Sequence, residues 1–171
     1  MAAVSWKNNS SGNWSVTGNW SSGSLPTSAD DVTIGFGSSS NTFTATEDVA
    51  SVTIKSLTID GDTLGTSHAV TLALVGNTLT VSGAVTLTND RGIISGKGTF
   101  SVGGAITGNG GTITGTGGVL DITGAGSLSG AILTIGTGSA STLEIDLSGG
   151  ATAAALSLTN TNQTQLDLPA A

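Results

Sequence analysis

Three carboxylates stand at equal intervals in the second half of this chain: Asp121, Glu144 and Asp167, with Asp146 two positions after Glu144. A hard cation such as Ca²⁺ takes about six to eight oxygen ligands, so carboxylates brought together at such a repeat are candidate metal ligands. Like charges in adjacent positions repel. The simpler reading is a solvated acidic patch that keeps the protein soluble and discourages edge pairing. Asp60-Gly61-Asp62 has the flavour of a calcium loop but lacks the further ligands, and a turn is the simpler reading.

Little else points to catalysis. The chain holds one histidine, His68, one arginine, Arg91, and three lysines, Lys7, Lys55 and Lys97. A glycan-acting β-helix enzyme needs a base and several carboxylates gathered in one groove, and His68 has no acidic or second His neighbour at ligand spacing. No Gly-x-Ser-x-Gly elbow, phosphate loop or zinc pattern occurs. The expectation is therefore a protein that is not an enzyme. No resident cofactor is expected, with Ca²⁺ as the one candidate.

The tryptophans are all at one end. Trp6, Trp14 and Trp20 lie among Asn and Ser within the first thirty residues. They suit a cap (residues 1–30) over the open end of a stacked core, or exposed rings for stacking on polysaccharide. A cap would bury them; sugar binding would expose them.

Composition narrows the class. The 171 residues include 27 Gly, no Cys and no Tyr, only 9% charged residues, and 37% hydrophobic residues with a mean hydropathy of +0.26. Disordered Gly/Ser-rich segments are far less apolar, so the glycines read as turns between strands. A net charge of −7 argues against nucleic acid and anionic membrane as partners. No apolar run reaches the length of a membrane span, and the opening Met1-Ala2-Ala3-Val4 does not lead into a signal peptide.

The elements that would position these residues are short strands. Apolar–polar–apolar triplets recur at Leu57/Ile59, Leu79/Val81, Phe100/Val102, Leu120/Ile122, Leu143/Ile145 and Leu166/Leu168, at spacings of 22, 21, 20, 23 and 23. A second ladder reads Val52, Leu72, Ile93, Ile113, Leu133 and Leu156; a third reads Val85, Ile106 and Leu128, with Phe43 as an earlier member. Period-2 triplets returning without helices between them predict an all-β, right-handed parallel β-helix over residues 31–171. It would have about seven coils, each of roughly 20–23 residues and three short strands. At about 4.8 Å per layer the rod would be roughly 30 Å long. The outward residues Thr58, Thr80, Ser101, Asp121, Glu144 and Asp167 would then form one row. The pairs Thr44/Thr46, Thr78/Thr80, Thr86/Thr88 and Thr112/Thr114 would fall on different faces, which argues against ice binding. Leu166 and Leu168, with no cap after them, would leave an assembly edge.

The stretch Asn13-Trp14-Ser15-Val16-Thr17-Gly18-Asn19-Trp20, followed by Gly23, Pro26, Asp30, Asp31, Val32 and Ile34, resembles the opening of repeat regions in autotransporter passengers and related bacterial surface β-helix proteins. The motif covers residues 13–34; the style of the rest agrees. The resemblance implies a secreted, cell-surface setting. Together these features point to a structural stalk, adhesin shaft or self-assembling extracellular filament subunit. Its partners would be further copies end to end or further coils of the same polypeptide. The alternatives are a calcium- or polysaccharide-binding module and a fragment of a glycan-acting enzyme.

Overall fold

The computed structural model describes residues 2–35, 41–61, 68–88, 91–135, 141–152, 155–158 and 166–167. In chain order the strands are β1 (Ala3–Ser5), β2 (Gly12–Asn13), β3 (Asp31–Gly35), β4 (Phe43–Glu47), β5 (Ser51–Ile54) and β6 (Ser56–Asp60). Then come β7 (Val70–Val81), β8 (Val85–Thr88), β9 (Gly92–Val102), β10 (Ile106–Gly108), β11 (Thr112–Gly124) and β12 (Leu128–Ser129). The last are β13 (Ile132–Ile135), β14 (Thr142–Leu147), β15 (Ala151–Thr152), β16 (Ala155–Leu158) and β17 (Leu166–Asp167). One 3₁₀ turn, Thr17–Asn19, completes the description.

All the strand ladders are parallel, and each strand pairs with strands one coil away in sequence, which defines a β-solenoid. One sheet runs β1-β3-β6-β8-β10-β12-β15; the other runs β2-β4-β7-β9-β11-β13-β16, with β5 on β7, and β14 and β17 following β11. The solenoid makes about four turns rather than seven. The repeat spacing overcounts in part because Leu57 on β6 and Leu79 on β7 lie on different faces rather than on successive coils of one ladder. The strands at the two ends of the stack are also short: β1 has three residues, and β2, β15 and β17 have two each.

In some coils two of the three faces join without a break. In β7 and β9, two faces merge into one bent strand of 12 and 11 residues, with a register shift between Val75 and Thr78. A second shift lies between Gly115 and Leu120 on β11. Gly96 makes the bend on β9: its φ is +118°, and a Cβ there would collide with the Leu74 carbonyl of the coil below.

The ladders differ from the spacing in several places. Leu57 pairs with Val32 and Val85, so it belongs to the first sheet, and Val52 is the residue beneath Leu79. Ile94, not Ile93, is the inward partner of Leu72 and Ile113. Phe43 pairs with Val70 on the second sheet, not with Val85. Phe100 stands beside Ile122, while Leu120 stands between Gly98 and Leu143. The inward residues form one continuous apolar cluster from Val4 to Leu147 that includes all three tryptophans. Stacking is what buries it, since each coil alone leaves its Leu, Ile and Val open to water.

Candidate functional site

The N-terminal end is closed by a strap. Trp6 and Trp20 bridge in antiparallel fashion, and around them Ser21 N donates to Ser5 O at 2.8 Å, Lys7 N to Asn19 O at 2.7 Å, and Ser5 N to Ser21 Oγ at 2.9 Å. These bonds take up donors and acceptors on the outer edge of β1, where a further strand would otherwise add. Asn19 covers β2 in the same way, its Nδ2 donating to Asn13 O at 2.9 Å.

The three tryptophans lie beneath this strap at 0–1% exposure, which leaves no ring face open to a sugar. Trp20 is the hub: its ring meets Trp6 edge-on at 4.9 Å and Trp14 at 4.6 Å. Trp20 Nε1 donates to Trp14 O at 2.9 Å, and Trp6 Nε1 to Ser10 O at 3.0 Å. Edge-to-face pairs of this kind add to the stabilisation that area burial supplies.

Side-chain hydrogen bonds tie the segment to the coil below it. Asp48 accepts from Ser15 N at 2.8 Å and Ser15 Oγ at 2.6 Å. Burial opposes its ionisation, but these Ser15 bonds outweigh burial and hold its carboxyl below the ordinary range. Asp30 is held low by Thr27, and Asp31 by Ser56 and Lys55, with Lys55 Nζ 3.0 Å from Asp31 Oδ1.

Glu47, at the end of β4, is the residue that sequence reasoning passes over. Alternation from Phe43 through Ala45 aims it inward, and it is 0% exposed. Oε1 accepts from Val49 N at 2.9 Å; Oε2 is buried without a partner. Burial pushes its carboxyl up to about 7, opposed by the Val49 hydrogen bond and by the nearby Asn77 amide, whose Nδ2 donates to the main-chain Glu47 O at 3.1 Å, and assisted by the Asp48 charge. The signal that could have found it is the parity of Phe43-Thr44-Ala45-Thr46-Glu47.

The acidic row is in register. Asp121 pairs with Glu144, and Glu144 with Asp167. Asp146 lies beside Thr123, one row over. Burial raises the Asp121 carboxyl, and the Asp146 charge raises it further. Thr58, Thr80 and Ser101 do not share this row: Thr58 pairs with Thr33 and Thr86, Ser101 pairs with Thr80 and Thr123, and the row below Asp121 holds Thr99 and Thr78. Among the described residues no group of three or more His, Cys, Asp or Glu is arranged to hold a metal ion.

Two further arrangements emerge from the registers. Ser51/Thr53, Thr78/Thr80 and Thr99/Ser101 stack as a double hydroxyl row on one face, and Thr33, Thr58, Thr86, Thr107 and Ser129 form a single row on the first sheet. Leu166 pairs with Leu143, whereas Leu168 and Asp62 fall outside the described residues. Among the described residues no helix is long and apolar enough to cross a membrane. No family model, curated protein or solved structure matches this chain.

Proposed function

We propose that the chain is a non-enzymatic structural module, a right-handed β-solenoid serving as the stalk, shaft or filament element of a secreted or bacterial surface protein. The observation that carries this reading is the asymmetry of the stack. A strap and three buried tryptophans occupy the edge of β1, while every ladder propagates in one direction away from it. Such a module grows by adding coils at the far side, from the same polypeptide or from another copy meeting it there. The resemblance of residues 13–34 to autotransporter passengers supports the surface setting. Light scattering and electron microscopy of the purified chain at rising concentration test the filament form; a monomer at every concentration leaves the shaft built from one polypeptide.

A second reading, a calcium-binding face, is favoured by the register of Asp121, Glu144 and Asp167. A glycan array with and without Ca²⁺ separates a binding module from a shaft. Binding that needs Ca²⁺ selects the second reading, and silence on the array selects the first.

A further inference from the structure

The cap and the first coil meet at their least satisfied point. β2 and β4 pair Gly12 with Ala45 and Asn13 with Thr46, and Trp14 N donates to Thr46 O at 2.8 Å. Continuing that register puts Trp14 next to Glu47, and both are 0% exposed. Trp14 Nε1 and Glu47 Oε2 are each buried without a hydrogen-bond partner. With Asn9 Oδ1, they are the buried side-chain atoms so left among the described residues, and all belong to the tryptophan segment or the strand beneath it. A buried polar atom without a partner keeps its desolvation penalty, so this interface is where water gains most by entering.

We propose that Glu47 makes the seating of the tryptophan cap depend on pH: with Glu47 neutral the cap stays closed over β1 and β2, and with Glu47 ionised water enters beside Trp14 and the cap opens locally. Only the Val49 N–H and the Asn77 amide offset the charge, and the one charged group acting on it, Asp48, has the same sign. β2 and β7, which flank β4, and residues 14–20 of the tryptophan segment contain no Asp, Glu, Lys, Arg or His. Asp48, its neighbour in the chain, is an anion held ionised by Ser15, so it opposes a second negative charge. Asp48 also supplies the cap's anchor through Ser15, so strain at Glu47 is transmitted directly to the segment carrying Trp14. The ordinary value of the Glu47 carboxyl is 4.5, and burial brings it to about 7, where a modest change around neutral pH alters its charge. Opening frees the backbone groups of Ser5 and Lys7 now held by Ser21 and Asn19.

All three tryptophans lie in the cap, so their fluorescence reports on it alone. In the intact chain, acrylamide quenching and exchange of the indole N–H protons should rise several-fold between pH 6 and pH 8 while far-ultraviolet circular dichroism stays constant. In Glu47→Gln, which keeps the shape and cannot ionise, both should stay flat. A flat response in the parent chain overturns the proposal. So does an equal rise in Glu47→Gln, which would assign the response to another group. Carboxyl-carbon NMR of the parent chain gives a second reading if the variant does not fold. A Glu47 midpoint near 7 supports the proposal, and a midpoint at the ordinary glutamate value overturns it.

Discussion

Glu47 also bears on the stability of the whole fold. Its carboxyl binds a proton more tightly in the folded chain, at about 7, than at the ordinary 4.5. Its contribution is therefore fully present below the ordinary value and is lost as pH rises through the folded one, a change on the order of 3 kcal/mol. Asp30, Asp31 and Asp48 run the opposite way, since their lowered carboxyls stabilise at neutral pH and lose that effect in acid. Comparing Glu47→Gln with the parent isolates the first effect: thermal melts should show the variant several degrees higher at pH 8 and nearly equal at pH 4.5. Core and surface positions should separate as sharply. Leu120→Asp places a charge between Gly98 and Leu143 with no partner. Denaturant unfolding should show a loss of about 4 kcal/mol or more. Thr80 lies on the outward side of β7. In the same measurement Thr80→Ser should be nearly neutral, as exposed substitutions away from special features are.

The strands show what spacing reveals and where it stops. Parity was legible: Leu79, Phe100, Leu120 and Leu143 are inward as alternation requires, and the carboxylates between them are not. Ladder membership was less so. Every face of the coil carries the same apolar–polar–apolar pattern, so Leu57 and Val52 were equally good partners for Leu79 by periodicity. The long interval between β6 and β7 shifts the count, and only backbone pairing resolves it. The slip between Phe100 and Leu120 has the same origin, since Gly115 to Leu120 bulges out of register with β9. These bends have their own chemistry. Gly96→Ala forces a Cβ into the Leu74 carbonyl at a φ of +118°. Chemical denaturation should show a clear loss of stability, larger than the ordinary cost of a surface substitution. Gly117 has a φ of +68° with open space around it. Asn tolerates that left-handed conformation, so Gly117→Asn should be nearly silent in the same assay. The acidic row makes its own test. If Asp121, Glu144 and Asp167 share a cation, added Ca²⁺ should raise the melting temperature by a few degrees, and Glu144→Gln should remove the increment.

For the molecule as a whole, the closed end should be what keeps the chain from adding strands at β1. Removing residues 1–30 uncovers the edge of β3 along with apolar core, and light scattering should register association that the intact chain lacks at that end. The fold class was legible because repetition multiplies one weak signal. The cap's detailed architecture was not, because the bridge between Trp6 and Trp20 is a single contact with no repeat behind it. Parallel stacking has a mechanical consequence. The hydrogen bonds between coils point along the rod, so tension applied at its ends loads them one row at a time instead of shearing many together. Each coil touches mainly its neighbours. Under load the rod should therefore unwind coil by coil from the end opposite the strap. Every coil so released adds its own contour length as slack, set by the reach of an extended chain. An optical-trap trace should show a ladder of small, equal extensions at low force, the response of a shock absorber rather than of a rigid strut.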